Sequence, residues 1–126
     1  MTGEKKAKIL VVDDEPGIVE VVKQWLERHH YEVITASSGQ DGLGKAYAEK
    51  PDLILLDIMM PGIDGYTAVL QLSREPWARV VILSGADEQY LGDVFKGKVD
   101  GWVHKPFTLD ALLRGVEQAL GRSKGV

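Results

Sequence analysis

Three aspartates, one serine and one lysine follow short apolar runs of this sequence. Asp13 and Asp14 follow the first run, Asp57 follows the third, and Ser84 and Lys105 follow the last two. Parallel strands end at the same edge of a sheet, so strands at these runs would bring the five side chains together. The pattern therefore predicts one small site in which three carboxylates meet one ammonium.

Each member of this set has a use in the transfer of a phosphoryl group. An aspartate can act as the nucleophile and form an acyl phosphate. Two carboxylates about 4 Å apart repel by about 4 kcal/mol at an effective dielectric of about 20, so a divalent cation is expected among them. Mg²⁺ prefers oxygen ligands and bridges readily to phosphate. Lys105 could neutralise a phosphoryl oxygen, and Ser84 could donate a hydrogen bond to another.

The apolar runs themselves predict the strands that would hold these residues. Uninterrupted runs such as residues 9–12, 53–56 and 80–83 are typical of strands buried on both faces of a parallel sheet. Two less uniform segments, residues 32–36 and 101–104, complete a set of five predicted strands.

Segments with helical spacing follow the predicted strands. The clearest are residues 16–29, where Pro16 suits a first helical turn, and residues 109–120, with Thr108 as the predicted N-cap. Weaker helices are predicted at residues 40–50, 65–74 and 87–96. This alternation of strand and helix predicts an α/β fold, with helices on both faces of a five-stranded parallel sheet.

Length and composition limit the range of functions. The chain has 126 residues, which fits a single domain, and we expect its folded core at about residues 7–121. A net charge of −4 without a basic cluster disfavours nucleic-acid binding, and the absence of cysteine excludes disulfides and thiolate metal sites. Since no apolar run approaches the ~20 residues of a membrane span, a cytoplasmic protein is expected.

Four segments of the sequence resemble the successive motifs of response regulator receiver domains. They are Val11-Val-Asp-Asp-Glu-Pro16, Leu56-Asp-Ile-Met-Met-Pro-Gly-Ile-Asp-Gly65, Leu83-Ser-Gly-Ala86 and His104-Lys-Pro-Phe107. The motifs occur in family order and span nearly the whole chain. The resemblance implies the flavodoxin-like strand order 2-1-3-4-5. It also implies a switch, rather than an enzyme, that receives a phosphoryl group from a sensor histidine kinase or phosphotransfer protein and regulates an output protein or effector domain.

The resemblance assigns a metal site to four matching positions. Asp57 is the expected phosphoacceptor and also a ligand of Mg²⁺. Asp14 is expected to bind the metal directly, Asp13 through a water molecule, and Met59 through its backbone carbonyl.

Four further positions match residues that respond to the phosphoryl group in this family. Ser84 and Lys105 are expected to contact that group, and the peptide bond between Lys105 and Pro106 is expected to be cis. Trp102 stands where the family usually has a tyrosine or phenylalanine that rotates inward on activation.

Other interpretations of these residues remain open from the sequence. Asp13 and Asp14 could cap the helix that is predicted to begin at Pro16, and Ser84 before a glycine could be a turn residue. A phosphatase of the haloacid-dehalogenase type also uses a strand-end aspartate with Mg²⁺, although it needs a second acid where this chain has Met59. A receiver-like interaction module that is never phosphorylated is a further alternative. The cognate kinase, the output and the choice between a monomer and a phosphorylation-dependent dimer also stay open.

The chain departs from the family pattern between Ser84 and Lys105. This span is slightly shorter than usual, and Lys96-Gly-Lys-Val-Asp-Gly101 replaces the customary turn of small residues. We therefore expect the helix predicted at residues 87–96 to be short or mobile compared with the first and last helices. Uniformly slow amide exchange across this segment would contradict that expectation.

Overall fold

The computed structural model describes residues 7–59, 65–85 and 93–121, and its centre is a sheet of five parallel strands. The strands are β1 (Lys8–Val12), β2 (Glu32–Ala36), β3 (Leu53–Asp57), β4 (Val80–Ser84) and β5 (Gly101–His104). They lie in the order β2-β1-β3-β4-β5. The predicted α/β class and strand order are therefore both confirmed.

Four helices lie within the described residues, and each begins and ends within one residue of its predicted bounds. They are α1 (Pro16–Arg28), α2 (Gly39–Glu49), α3 (Gly65–Ser73) and α4 (Leu109–Leu120). The predicted cap of α4 is confirmed, because the Thr108 hydroxyl accepts a hydrogen bond from the backbone N–H of Ala111 at 3.0 Å. None of the described helices combines the length and the apolar character that crossing a membrane requires.

The helix predicted at residues 87–96 lies mostly outside the described residues. Residues 93–95 have helical backbone, and residues 96–98 form a turn in which Gly97 has a φ of 77°. A positive φ suits glycine because no Cβ obstructs it. The expected shortness or mobility of this helix stays a prediction.

Two hydrophobic cores lie on opposite faces of the sheet, because successive residues of a strand point to opposite sides. In β1, Ile9 and Val11 belong to the core beneath α1 and α4, whereas Leu10 and Val12 belong to the core beneath α2 and α3. All four side chains are at most 1% exposed. Burying one such side chain contributes about 1.5–3 kcal/mol. This two-sided burial explains why the strand sequences are uninterrupted apolar runs.

The parallel register brings the carboxyl ends of the strands to one edge. Val12 pairs with Leu56, and Leu83 pairs with Asp57. Pairing continues for one residue beyond the apolar runs of β3 and β4, so Asp57 and Ser84 are the last residues of their strands. The sequence pattern had placed both residues just behind the strands. Their backbones are therefore held by the sheet and not by a loop.

Two glycines of α2 offer a matched test of the packing beside this edge. A Cβ built on Gly42 would lie 2.7 Å from a methyl carbon of Val12, whereas one built on Gly44 would have no neighbour within 4 Å. Helix α2 can therefore approach the end of β1 only because residue 42 has no side chain.

We expect Gly42→Ala and Gly44→Ala to change stability in opposite directions. The first should lower the free energy of unfolding by about 1–3 kcal/mol through overpacking against the buried Val12. The second should raise it by up to about 1 kcal/mol, because alanine favours a helix interior over glycine. Urea denaturation of both variants measures the difference, and equal effects would contradict the close approach.

Candidate functional site

The carboxyl edge of the sheet brings the predicted acids and the predicted amine together. Asp13 directly follows β1, Asp57 ends β3, and Lys105 directly follows β5. Since β1 and β3 are neighbours and Val12 pairs with Leu56, the next residues along each strand, Asp13 and Asp57, lie side by side. The site is thus built from strand ends whose relative positions are fixed by backbone pairing.

The ammonium group of Lys105 lies at the centre of the site. Its Nζ is 2.7 Å from Oδ2 of Asp13, 3.1 Å from Oδ2 of Asp57 and 3.1 Å from Oε1 of Glu15. The backbone N–H of Lys105 donates to the carbonyl oxygen of Ser84 at 2.9 Å, which attaches the residue to the end of β4. The peptide bond between Lys105 and Pro106 is cis, the isomer that the resemblance implied. All three N–H donors of the ammonium therefore have a carboxylate partner.

The buried carboxylates of Asp13 and Asp57 each accept a hydrogen bond from a nearby backbone N–H. Oδ1 of Asp13 accepts a hydrogen bond from the backbone N–H of Glu15 at 3.0 Å, and Oδ1 of Asp57 accepts one from Met59 at 2.8 Å. In each case the donor is two residues further on, as in the turns that aspartate favours. This leaves both Oδ2 atoms directed at Lys105.

The alternative role of Asp13 and Asp14 as helix caps is not what the structure shows. The residue at the N-cap position of α1 is Glu15, and no side chain caps the helix there. Pro16 begins the helix and has no N–H, which leaves one fewer unpaired donor in the first turn.

Glu15 is the one member of this cluster to which the sequence analysis gave no role. Its carboxylate joins the ion pair with Lys105, while 60% of its side chain stays exposed. The signal for it in the sequence is that Glu15 is a third consecutive acid after β1. A contact with a residue ninety positions away cannot be read from local spacing.

Burial and hydrogen bonding shift the pKa values of two of these groups. Burial raises the pKa of the Asp13 carboxyl above its ordinary value, and hydrogen bonds from Lys105 and the Glu15 backbone oppose that shift only in part. Burial alone would lower the pKa of Lys105, but hydrogen bonds to Asp13, Glu15 and Asp57 outweigh it and raise this pKa. Lys105 is therefore a fixed positive charge at neutral pH.

The carboxylates are spaced closely enough to hold one metal ion. Asp13, Asp14, Glu15 and Asp57 each offer an oxygen, and these four oxygens lie within 4.8 Å of one another. Opposite ligands of an octahedral Mg²⁺ are about 4.2 Å apart, since each lies about 2.1 Å from the ion. Asp14 is exposed and Asp13 and Asp57 are buried, so the cluster opens to solvent on the side of Asp14. An all-oxygen set of this size and charge fits Mg²⁺.

Ser84 and Met59, near the carboxyl edge of the sheet, differ in how far they are exposed to solvent. Ser84 is fully buried at the end of β4, one residue beyond the register partner of Asp57. The side chain of Met59 points away, with an exposure of 65%, while its backbone N–H holds Asp57.

Trp102 lies on β5 and packs against the core beneath α2 and α3. Its ring centroid is 6.2 Å from that of Phe95 and 5.9 Å from that of His104. Its indole N–H is buried, and no described residue accepts a hydrogen bond from it.

One protein family and two characterised relatives match most of this chain. The family of response regulator receiver domains matches residues 9–117 of the chain. The alkaline phosphatase synthesis transcriptional regulatory protein PhoP of Bacillus subtilis is 41% identical over 121 residues, which cover 93% of this chain and 50% of that protein. Protein PilH of Pseudomonas aeruginosa is 35% identical over 120 residues, covering 90% of this chain and 98% of PilH. The chain thus spans half the length of the first relative and nearly all of the second.

A solved structure with a similar fold also matches most of this chain. The response regulator protein TrrA from Thermotoga maritima, solved in complex with Mg²⁺ and BeF, superposes with a TM-score of 0.81 at 35% identity. The superposition covers 90% of this chain and 99% of TrrA.

Proposed function

This chain belongs to the response regulator receiver family, and we propose that it is a signalling switch whose phosphoacceptor is Asp57. The observation that carries the proposal is the Lys105 ammonium, which lies within 3.1 Å of the carboxylates of both Asp13 and Asp57. A phosphoryl group on one of these acids needs a nearby cation for its oxygens, and a lysine amine supplies one as a point charge.

In the proposed reaction, a histidine kinase or phosphotransfer protein presents a phosphoryl group on an imidazole nitrogen. One carboxylate oxygen of Asp57 attacks the phosphorus atom, and the P–N bond breaks as the O–P bond forms. The leaving imidazole nitrogen takes up a proton. A carboxylate, unlike a hydroxyl, attacks without losing a proton of its own, so the site needs no general base.

The neighbouring residues orient the acceptor and receive the product. The backbone N–H of Met59 holds one oxygen of Asp57, which limits rotation of the carboxylate. After transfer, Lys105 and the hydroxyl of Ser84 donate hydrogen bonds to phosphoryl oxygens. Mg²⁺ would neutralise the charge that gathers on the acids and the phosphoryl group.

The ligands that we propose for Mg²⁺ are the four positions that the resemblance to receiver domains implied. Asp14 and Asp57 would bind the ion directly, together with the carbonyl of Met59, and the buried Asp13 would bind it through water. Support comes from the four close carboxylate oxygens and from TrrA, a similar protein that was solved with Mg²⁺.

We propose that Trp102 transmits the change at the site to the surface. Lys105 directly follows β5, which holds Trp102, so a shift of Lys105 that moved its backbone would reach this strand first. No described residue accepts a hydrogen bond from the indole N–H, so a movement of the ring would break no hydrogen bond between described residues. Shifting the population ratio of an inactive and an active conformation from 99:1 to 1:99 takes about 5.5 kcal/mol of differential stabilisation. New contacts of the phosphoryl group with Lys105 and Ser84 would contribute part of it. An output protein or effector domain would read the result.

A groove beside the site suits the partner that donates the phosphoryl group. It has a volume of about 710 Å³ and lies between the first turns of α1 and the segment from Lys105 to Leu109. Its lining is largely apolar, and it includes Val21, which is 51% exposed. Because Lys105, which contacts Asp57, is one of the residues that line the groove, a helix bound there would lie close to Asp57. We propose that a helix of the kinase or phosphotransfer protein docks in it.

The two alternative functions receive less support. A phosphatase of the haloacid-dehalogenase type would need an acid at residue 59, where the chain has a methionine with an exposed side chain. A module that is never phosphorylated would have no use for three carboxylates around one amine, since their mutual repulsion destabilises the fold.

Asp57→Asn should abolish phosphorylation by acetyl phosphate, because an amide oxygen lacks the charge required for attack and for metal binding. Intact-protein mass spectrometry should show one added phosphoryl group on the unsubstituted chain in the presence of Mg²⁺ and none in its absence. The exposed Asp110, outside the site, provides the matched control Asp110→Asn, which should be labelled normally. Labelling of the Asp57→Asn variant would contradict the assignment of the acceptor.

Val21→Glu should slow transfer from a phosphohistidine protein that labels the unsubstituted chain. A charge in the apolar groove should reduce the transfer rate about tenfold, equivalent to about 1.4 kcal/mol. Labelling by acetyl phosphate, which needs no docking surface, should not change. Val94→Glu is the control, because Val94 is 43% exposed and lies outside the groove. Equal transfer rates for the two variants would rule out docking in this groove.

A further inference from the structure

The three carboxylates that hold Lys105 differ greatly in their access to water. The side chains of Asp13 and Asp57 are 0% and 6% exposed, whereas that of Glu15 is 60% exposed. The distances do not separate Glu15 from Asp57, since both are 3.1 Å from Nζ. Exposure is therefore what distinguishes Glu15 from the other two partners.

A phosphoryl group on Asp57 can bond to Lys105 only if the amine gives up a present partner. An ammonium has three N–H donors, and all three have carboxylate partners. Releasing Asp13 would leave a fully buried carboxylate without its cation, which is strongly unfavourable. Water can replace Lys105 as the partner of an exposed carboxylate at little cost. The carboxylate of Asp57 loses its charge when it becomes an acyl phosphate, so its bond to Lys105 weakens in the reaction itself. Of the two partners that stay charged, Glu15 is the one that the amine can leave.

The position of Glu15 agrees with a role directed at Lys105 and not at the helix. Its backbone N–H is fixed by Asp13, which sets where its side chain begins. Its carboxylate makes no capping hydrogen bond at the start of α1. The helix therefore does not hold this carboxylate by a hydrogen bond.

We propose that Glu15 is a positioning residue that holds the Lys105 amine in the unphosphorylated chain and competes with the phosphoryl group for it. This inference rests on the proposed function, because it concerns the same amine. Glu15 sets a threshold for switching: the phosphoryl group must displace an anionic partner before it gains its hydrogen bond from Lys105.

Glu15→Gln tests the competition with little change in shape. A neutral amide makes a hydrogen bond to an ammonium that is weaker than the charge-assisted one by roughly half. It also removes a negative charge close to the position of the phosphoryl group. Both effects should favour the state in which Lys105 contacts that group.

The first measurement is the binding of beryllofluoride, a mimic of the phosphoryl group, by calorimetry at saturating Mg²⁺. Glu15→Gln should bind it about fivefold more tightly than the unsubstituted chain, a factor equivalent to about 1 kcal/mol. Glu27→Gln removes the same charge from the far end of α1 and should leave the affinity unchanged. Unchanged or weaker binding by Glu15→Gln would overturn the proposal.

The second measurement needs neither metal nor beryllofluoride. Proton exchange of the Lys105 ammonium, followed by NMR in Mg²⁺-free solution, should be several-fold faster in Glu15→Gln than in the unsubstituted chain or in Glu27→Gln. Equal exchange rates would show that Glu15 does not hold the amine, and would overturn the inference alone. Failure of the unsubstituted chain to bind beryllofluoride would instead overturn the proposed function, and this inference with it.

Discussion

The site depends on one electrostatic constraint: aspartates that repel one another are packed together at the sheet edge and share a single ammonium. Asp13 is fully buried and Asp57 almost so, and the amine of Lys105 bonds to both. At a separation of about 4 Å, each pair of like charges costs about 4 kcal/mol at an effective dielectric of about 20. The amine offsets part of this repulsion, and the remainder makes the site receptive to a cation. The metal binding, nucleophilic attack and switching that we propose would all follow from this one imbalance of charge.

The architecture of the sheet maintains that imbalance. Asp57 is the last paired residue of β3, and Lys105 is joined through its backbone to Ser84 at the end of β4. Because both cores are built from fully buried strand residues, the strand ends cannot move apart without disturbing the packing on each face. Asp14 and Glu15 form the exposed, solvent side of the site. A buried pair of acids beneath exposed ones would let the amine exchange partners, as we propose, while the backbone keeps its register.

Much of this arrangement could be predicted from the sequence because strand ends in a parallel sheet share an edge. The runs at residues 9–12 and 53–56 predicted the strands, and the parallel order then placed Asp13, Asp57 and Lys105 together. The sequence did not reveal that pairing extends into Asp57, because whether a polar residue is the last of a strand depends on its partner strand. It also did not reveal the role of Glu15, since that role arises from a contact across the fold. The close packing of α2 on Val12 was missed for the same reason.

The most direct test of the central claim is a double-mutant cycle between Asp13 and Lys105 in Mg²⁺-free solution. The free energies of unfolding of the unsubstituted chain, Asp13→Asn, Lys105→Met and the double variant give the coupling between the two side chains. We expect a coupling of about 1–3 kcal/mol in favour of the pair, because without Lys105 the fully buried Asp13 carboxylate would lose its cation. Additive effects of the two substitutions would contradict it.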